Sequence, residues 1–243
     1  MARFFDLHSH ILCGVDDGAK SVDEMIAMLE MAYEDGTRAL CLTPHYAPHM
    51  FGVRQEQCKK AFEYLKKYAA QKHPDMQLYL GNELGYNHNG LAALDAGECW
   101  SINNSRYVLI DFPESVVFFE LQSSVERLQG AGYLVILAHT ERYRCLHREI
   151  RWIEEFVENG GIVQLNASSC CGGWGRAAEK QWKKLIRRGL AHIISSDGHN
   201  LTTRLPKMSV CMPFLKKHYN EEAINLITWE NAARVVEDRL IEF

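Results

Sequence analysis

Residues 4–10 read FFDLHSH, a short apolar run that ends in two histidines, His8 and His10. Side chains at positions i and i+2 of a strand lie on the same face, so both imidazoles point at one place. Two imidazoles that converge in this way are a good beginning for a metal site. This stretch therefore predicts a buried strand whose carboxyl end carries metal ligands.

Similar apolar runs recur about every 30 residues along the chain. They are short and rich in Val, Ile, Leu or aromatic residues, as buried strands are. We predict seven strands, at Arg3–Leu7, Arg38–Thr43, Gln77–Gly81, Tyr107–Phe112, Tyr133–Ala138, Ile162–Asn166 and His192–Ser195.

Helical patterns fill the intervals between these runs. One begins at a capping box, Ser21 to Glu24, and ends at Gly36. The others cover residues 55–71, 115–130, 149–159 and 177–188. Strands that alternate with helices predict a parallel sheet with helical crossovers. We therefore expect an α/β fold, a distorted TIM-like (β/α)7 barrel, with a doubly wound sheet as the alternative. A barrel of this length is ordinarily one domain, so residues 1–243 are expected to form a single domain.

Composition excludes several classes of protein. The 27 Lys and Arg residues do not outnumber the 31 Asp and Glu residues, so nothing favours nucleic acid as a partner. The eight cysteines form no Cys-x-x-Cys pair and are interpreted as reduced thiols of a cytoplasmic protein. No signal peptide and no apolar run of membrane length is present, so we expect no membrane insertion. The sequence leaves the oligomeric state open.

Potential metal ligands follow the predicted strands at their carboxyl ends. In a barrel these ends converge on one face, where active sites are built. Imidazoles and carboxylates that converge in a core are too costly to bury without a cation. The candidate ligands are His8, His10, Asp17, His45, Glu83, Asp111, His139, Asp197 and His199.

This ligand set contains imidazole and carboxylate but no thiolate. Such sites suit Mn²⁺, Fe or Zn²⁺ and bind Cu(I) poorly. Nine ligands exceed the need of one ion, so two or three ions are expected, with Glu83 well placed to bridge them. Clustered ions generate hydroxide at neutral pH and stabilise both oxygens of an in-line displacement. The chemistry predicted is hydrolysis, most naturally of a phosphate ester.

Two arginines in the predicted loops suit the same substrate. Arg142 lies three residues after His139, and Arg204 lies five residues after His199. Arginine binds phosphate oxygens in a bidentate fashion. One such arginine alone would be interpreted as a surface salt bridge. Two of them in loops at the ligand-bearing face are predicted to bind the phosphoryl group and to take part in catalysis.

Six short motifs give the chain a family resemblance. They are DLHSH at 6–10, DDG at 16–18, TPH at 43–45, GNE at 81–83, AHTERY at 138–143 and SDGH at 196–199. Together they resemble the polymerase and histidinol phosphatase (PHP) superfamily. The branch most similar is that of the bacterial manganese-dependent protein-tyrosine phosphatases associated with capsule and exopolysaccharide synthesis. The motif resemblance runs from residue 3 to about residue 206.

The resemblance implies three metal ions, Mn²⁺ in this branch, and phosphate-binding roles for Arg142 and Arg204. The first ion would be held by His8, His10, Glu83 and Asp197, the second by Glu83, Asp111 and His139, and the third by Asp17, His45 and His199.

The chain departs from this branch at Asp111, where the branch has glutamate. Aspartate is one methylene shorter, so the second ion is expected to be weaker, displaced or bridged by water. The resemblance also implies a partner, the phosphotyrosine-containing tail of a bacterial tyrosine kinase of capsule or exopolysaccharide synthesis.

Three other functions remain open from the residues. A histidinol-phosphate phosphatase, or another small-molecule phosphatase of the same superfamily, would use the same ligands. Cys170 and Arg176 form a Cys-x5-Arg match, the loop pattern of cysteine-dependent phosphatases, although short matches are often accidental. A non-catalytic metal-binding module is the third alternative, and it would be expected to lack ligands that this chain has.

Overall fold

Short parallel strands alternate with helices in the structure, a computed structural model that describes residues 3–85 and 89–241. Within these residues the strands are β1 (Phe4–Asp6), β2 (Thr37–Leu42), β3 (His45–Tyr46), β4 (Gln77–Leu80), β5 (Glu83–Gly85), β6 (Tyr107–Asp111), β7 (Leu134–Leu137), β8 (Ile162–Asn166) and β9 (Ile193–Ser195).

The strands form one curled parallel layer in two hydrogen-bonded parts. One part has the order β1-β2-β4, and the other has the order β3-β5-β6-β7-β8-β9. Strands β3 and β5 continue β2 and β4 after a break of two residues each. Beyond the last strands, a parallel bridge between Ser9 and Gly198 joins the two edges. This arrangement confirms the distorted (β/α)7 barrel and excludes the doubly wound sheet.

Helices cover the outside of this layer and follow its last strand. In the described residues they are α1 (Val22–Asp35), α2 (Pro48–Phe51), α3 (Gln55–Lys72), α4 (Gly90–Asp95), α5 (Phe118–Gly130), α6 (Ile150–Glu158), α7 (Gly175–Arg187), α8 (Met212–His218), α9 (Glu221–Asn225) and α10 (Asn231–Val236), with a π-helical turn at Leu226–Glu230. None of the helices among these residues combines the length and hydropathy that a membrane crossing requires.

Helix α1 shows how local sequence produces these elements. The Ser21 hydroxyl accepts a hydrogen bond from the Glu24 backbone N–H at 3.1 Å, as the capping box predicts. Gly36 ends the helix with φ of 111°, a left-handed conformation that favours glycine. Between these ends one apolar face turns inward, formed by Met25, Met28, Leu29 and Ala32.

The seven predicted strands lie within one residue of the observed bounds at each end. Strands β3 and β5 were not predicted, because Pro44 and the Gly81–Asn82 pair interrupt the apolar runs before them. Glycine is favoured at position 81, since a side-chain carbon there would lie 3.0 Å from the Ile102 Cα atom and 3.2 Å from the Ser101 carbonyl oxygen. The two short strands matter for function, because they begin with the candidate ligands His45 and Glu83.

The end of the chain closes the base of the barrel, opposite the carboxyl ends of the strands. Ala232 and Val235 of α10 are buried in the same apolar cluster as Phe5 of β1. The Arg3 guanidinium lies 3.7 Å from the centre of the Trp229 ring at this end. Residues beyond 206, which carry none of the six motifs, therefore complete the core.

Candidate metal centre

The nine side chains predicted as ligands lie together at the carboxyl end of the barrel. Eight of them follow, begin or end the strands β1, β3, β5, β6, β7 and β9, and Asp17 lies in the loop after β1. His45 and Glu83 are partners in the parallel pairing of β3 with β5, which brings their side chains close. The prediction that these residues converge on one face is confirmed by their positions.

Glu83 lies at the centre of this cluster. Its Oε2 atom is 3.2 Å from His8 Nε2, 3.1 Å from His10 Nε2 and 3.0 Å from His45 Nδ1. The two nitrogens of His8 and His10 are themselves 3.1 Å apart. Ligand atoms that bind one ion at about 2.1 Å and at right angles lie about 3 Å apart, so these spacings fit a shared cation.

Buried atoms without partners support the same interpretation. Among the described residues, neither Glu83 Oε2 nor His199 Nε2 makes a hydrogen bond, although both are buried. A buried polar atom without a partner is costly, and a metal ion would satisfy both atoms. The residues present therefore fit a divalent cation.

Three groups of residues in the described part of the chain bring ligand atoms within 4.8 Å of one another. They are His10, Asp17, His45 and His199; then His8, His10 and Asp197; and then His45, Glu83 and Asp111. His139 Nε2 lies 3.0 Å from Glu83 Oε1 and 3.4 Å from Asp111 Oδ1, so it borders the third group. These groups differ from the ligand sets that the resemblance implies: His10 and His45 each belong to two groups, Glu83 is absent from the group of His8 and Asp197, and His139 belongs to none of the three.

Asp16 orients two of the candidate ligands. Its Oδ2 atom accepts hydrogen bonds from His10 Nδ1 at 2.7 Å and from the His45 backbone N–H at 3.0 Å. A histidine that donates from Nδ1 presents the lone pair of Nε2 to a metal. The Oδ1 atom of Asp16 accepts a hydrogen bond from the Gly18 N–H at 2.9 Å. Only glycine fits at position 18, because a side-chain carbon there would lie 1.9 Å from the His10 carbonyl oxygen.

Gln164 and Asn166, on strand β8, form hydrogen bonds to candidate ligands on neighbouring segments. The sequence interpretation missed both residues. Gln164 Oε1 accepts hydrogen bonds from His8 Nδ1 at 3.1 Å and from the His139 backbone N–H at 2.8 Å. Asn166 Nδ2 donates to Asp197 Oδ2 at 2.7 Å. Two polar residues at i and i+2 of an otherwise apolar strand lie on one face, and this alternation was the signal available in the sequence.

Two of the candidate ligands have a strained backbone. His139 has φ of 31° and Asp197 has φ of 52°, both in the left-handed region that favours glycine. Each such residue costs about 1–3 kcal/mol and persists only where its surroundings hold it. Strain of this kind is concentrated at functional sites.

The charge states of the cluster suit metal binding. Burial raises the pKa of the Glu83 carboxyl, but the His8 and His45 charges overcome that effect and hold its pKa well below the ordinary range. Burial and the Arg142 charge lower the pKa of His139 to about 3, so its imidazole is neutral at pH 7. Burial and the Glu83 charge raise the pKa of Asp111 to about 7, and a nearby cation would favour its carboxylate form.

Arg142 and Arg204 flank the cluster as predicted. Arg204 Nη2 lies 2.9 Å from both carboxylate oxygens of Asp197, and Arg142 Nη1 lies 3.6 Å from Asp197 Oδ2. Their side chains are 26% and 16% exposed. The two guanidinium groups thus form a partly open, cationic edge beside the candidate ligands.

The cysteine-dependent alternative is not supported by its own residues. Burial, together with the Cys171 thiol at 3.3 Å, raises the pKa of Cys170 to about 12. The thiolate is the nucleophile in this chemistry, and a thiol of such a high pKa stays protonated at pH 7. Arg176 is exposed. The Cys-x5-Arg match is therefore interpreted as a rim loop rather than a catalytic loop.

Comparison with known proteins gives a family and close relatives. The chain matches the family described as capsular polysaccharide synthesis, CpsB/CapC, over residues 4–237. It is 32% identical over 220 residues to the putative tyrosine-protein phosphatase CapC of Staphylococcus aureus, covering 90% of this chain and 83% of that protein. It is 28% identical over 241 residues to the tyrosine-protein phosphatase CpsB of Streptococcus pneumoniae, covering 97% of this chain and 99% of that protein.

Solved structures show the same relationship. One study describes YwqE from Bacillus subtilis and CpsB from Streptococcus pneumoniae as unique metal-dependent tyrosine phosphatases. Its structure superposes with a TM-score of 0.85 and 27% identity over 98% of this chain and 96% of that chain. The phosphotriesterase homology protein of Escherichia coli superposes with a TM-score of 0.60 and 12% identity over 96% of this chain and 98% of that chain, which shows a shared fold only.

Proposed function

This chain belongs to the CpsB/CapC family and is a metal-dependent tyrosine phosphatase, and we propose that the cluster around Glu83 holds its metal. The observation that carries the proposal is the buried Glu83 Oε2 atom, which faces three imidazole nitrogens at 3.0–3.2 Å without a hydrogen bond. All nine candidate ligands belong to this proposal. We assign two or three Mn²⁺ ions to them, with Fe or Zn²⁺ as the alternatives that the donor set admits.

The side chains around the proposed metal site have two roles, which are to bind the phosphoryl group and to orient the metal ligands. Bound divalent cations lower the pKa of water and stabilise charge on phosphoryl oxygens. Arg142 and Arg204 bind the phosphoryl group beside them and orient it, because bidentate guanidinium groups match its oxygens. Asp16 and Gln164 keep imidazoles turned into the site through the hydrogen bonds at 2.7 Å and 3.1 Å.

The proposed substrate is the phosphotyrosine-containing tail of a bacterial tyrosine kinase of capsule or exopolysaccharide synthesis. The relatives support this substrate, since they are named as tyrosine-protein phosphatases and the family is that of capsular polysaccharide synthesis. We place the protein in the cytoplasm as one domain. All eight cysteines are free in the structure, which suits a reducing compartment.

A substrate panel tests the proposed function. Chelated protein with Mn²⁺ added back is assayed on a phosphotyrosine peptide, a phosphoserine peptide, histidinol phosphate and nucleotides. We expect the highest kcat/KM on the phosphotyrosine peptide. A preference for histidinol phosphate would show a small-molecule phosphatase instead.

Cys170→Ser is the control in this panel. The variant should keep activity to within about tenfold, because loss of a true nucleophile costs several orders of magnitude. A collapse of more than a thousandfold in folded Cys170→Ser protein would restore the cysteine-dependent alternative.

A further inference from the structure

One indole ring lies against both rim arginines. The guanidinium carbon of Arg142 is 3.8 Å from the centre of the Trp174 ring, and that of Arg204 is 5.1 Å from it. Tryptophan is the strongest aromatic partner for a cation, and both distances are within the range of attraction, about 6 Å. Trp174 is partly buried, so solvent screens these contacts only in part.

Arg142 has no close ion-pair partner among the described residues. Both guanidinium groups approach the same carboxylate, Asp197, and Arg204 also lies 3.6 Å from Asp17. The ion pairs of Arg142 are long, at 3.6 Å to Asp197 and 3.8 Å to Glu114. Among the described residues, the Nε atoms of both arginines are buried without a hydrogen-bond partner. Contact with the indole therefore supplies much of what fixes the orientation of Arg142, and it adds to the contacts at 2.9 Å that hold Arg204 against Asp197.

The fold holds Trp174 in place for this contact. It lies between Gly172 and Gly175, whose φ angles of 82° and 84° set the turn that begins α7. Glu141, next to Arg142 in the chain, is fully buried and accepts hydrogen bonds from Ser169 Oγ at 2.6 Å and from the Asn166 N–H at 3.1 Å. These bonds tie the segment before Trp174 to the segment that carries Arg142.

We infer that Trp174 is a positioning residue, which holds Arg142 and Arg204 in the orientation that binds the phosphoryl group. This inference rests on the phosphate-binding role proposed for the two arginines. The indole of Trp174 acts through the two arginines and not by contact with the reacting atoms. Its effect is on the binding of every phosphate monoester, because the guanidinium groups recognise the phosphoryl oxygens rather than the alcohol.

The test compares Trp174→Leu and Trp174→Phe with the parent, all loaded with Mn²⁺. Leucine keeps apolar contact and removes the aromatic face, so kcat/KM on a phosphotyrosine peptide should fall about tenfold, and inhibition by orthophosphate should weaken by about the same factor. Phenylalanine keeps a weaker aromatic face and should recover part of the loss. Metal content, measured by elemental analysis, should be unchanged in both variants.

Trp229→Leu is the matched control, since it removes an indole that also stacks on an arginine, Arg3, but at the base of the barrel. It should leave kcat/KM and orthophosphate inhibition at the parent values. Parent kinetics in Trp174→Leu would overturn the inference while leaving the proposed function intact. If the parent itself neither hydrolyses the peptide nor binds orthophosphate, the proposed function and this inference both fail.

A double-mutant cycle separates positioning from general damage to the loop. In an Arg142→Ala background, Trp174→Leu should cost clearly less than it costs in the parent, because one of its two cationic partners is already absent. An equal loss in both backgrounds would show that Trp174 acts without Arg142, and that result would overturn the inference.

Discussion

Glu83 connects four imidazoles at the rim of the barrel. Its Oε2 atom faces His8, His10 and His45, and its Oε1 atom lies 3.0 Å from His139. Burial of a carboxylate is unfavourable unless positive charge balances it, and a bound cation would supply that charge. These distances support the proposed bridging role of Glu83.

Substitution of the arginines and of the histidines should affect different properties, namely turnover and metal content. Arg142→Ala and Arg204→Ala should retain metal, because Asn166 still holds Asp197 through its hydrogen bond of 2.7 Å. Each should lose about 2–4 kcal/mol of transition-state stabilisation, seen in kcat/KM. His139→Ala should instead lower the metal content.

Elemental analysis and kinetics on the same samples distinguish these outcomes. Arg188→Ala, which removes an exposed arginine paired with Glu154 far from the rim, is the control and should match the parent. Loss of metal in the Arg142 or Arg204 variant, or kinetics equal to the parent, would refute the roles assigned to the two arginines.

Asp111 should make its metal the weakest of the set. Its Oδ1 atom lies 3.4 Å from His139 Nε2 and accepts a hydrogen bond from the Tyr143 hydroxyl at 3.2 Å. A packed strand end resists moving inward to compensate for a shorter side chain. Asp111→Ala should weaken one Mn²⁺ site further, and Asp111→Glu should tighten it or leave it unchanged.

Manganese titration of the three proteins, with activity followed alongside, measures this order. Tyr143→Phe serves as the control, because it removes the hydroxyl that donates to Asp111 and accepts from the Phe112 N–H, but keeps the Asp111 carboxylate. If Asp111→Ala binds all its ions as tightly as the parent, Asp111 is not a ligand.

At the scale of elements, β8 and β9 depend on a histidine that must stay neutral. His192 Nδ1 accepts a hydrogen bond from the Val163 N–H at 3.1 Å, and burial lowers the pKa of His192 to about 4. The unfolded chain binds this proton below a pKa of about 6.5. Stability from the neutral ring is therefore complete above pH 6.5 and is lost as the pH falls towards 4, by about 3 kcal/mol in total.

His192→Asn tests this linkage, because its side-chain oxygen can accept the same hydrogen bond without titrating. Urea unfolding of metal-free protein between pH 8 and pH 4 measures the free energy. The parent should lose stability relative to the variant as the pH falls through this range. Parallel curves for the two proteins would contradict the pKa given for His192.

The elements differ in how far the sequence could predict them. Strands such as β8 were predicted because a buried run of five residues has a clear apolar signal and defined ends. Strands β3 and β5 have two and three residues and follow breaks in the chain, so no periodic pattern marks them. The candidate ligands were named from the sequence because most of them follow an apolar run. The roles of Gln164 and Trp174 depend on partners from distant segments, which the sequence does not bring together.

At the scale of the whole molecule, the rim depends on a base that the end of the chain completes. Val235 is fully buried against the barrel in the same cluster as Phe5 and Tyr107. Val235→Ala should lower the free energy of unfolding by about 2 kcal/mol, through lost burial and a small cavity. Val53→Ala, at a side chain 59% exposed, is the control and should change stability by less than about 0.5 kcal/mol.

Urea denaturation of the two variants measures both effects. Folded Val235→Ala should keep its kcat/KM on a phosphotyrosine peptide, since the base contributes no side chain to the rim. A loss of stability no larger than that of the control would show that the last residues do not close the core.

Phosphatase activity is expected to depend on metal held by the cluster around Glu83. The most direct measurement is the rate of phosphotyrosine-peptide hydrolysis by chelator-treated, dialysed protein during titration with Mn²⁺, with bound metal counted by elemental analysis. We predict no measurable activity in the metal-free protein and recovery as two or three equivalents of Mn²⁺ bind. Full activity in protein shown to contain no metal would contradict this dependence.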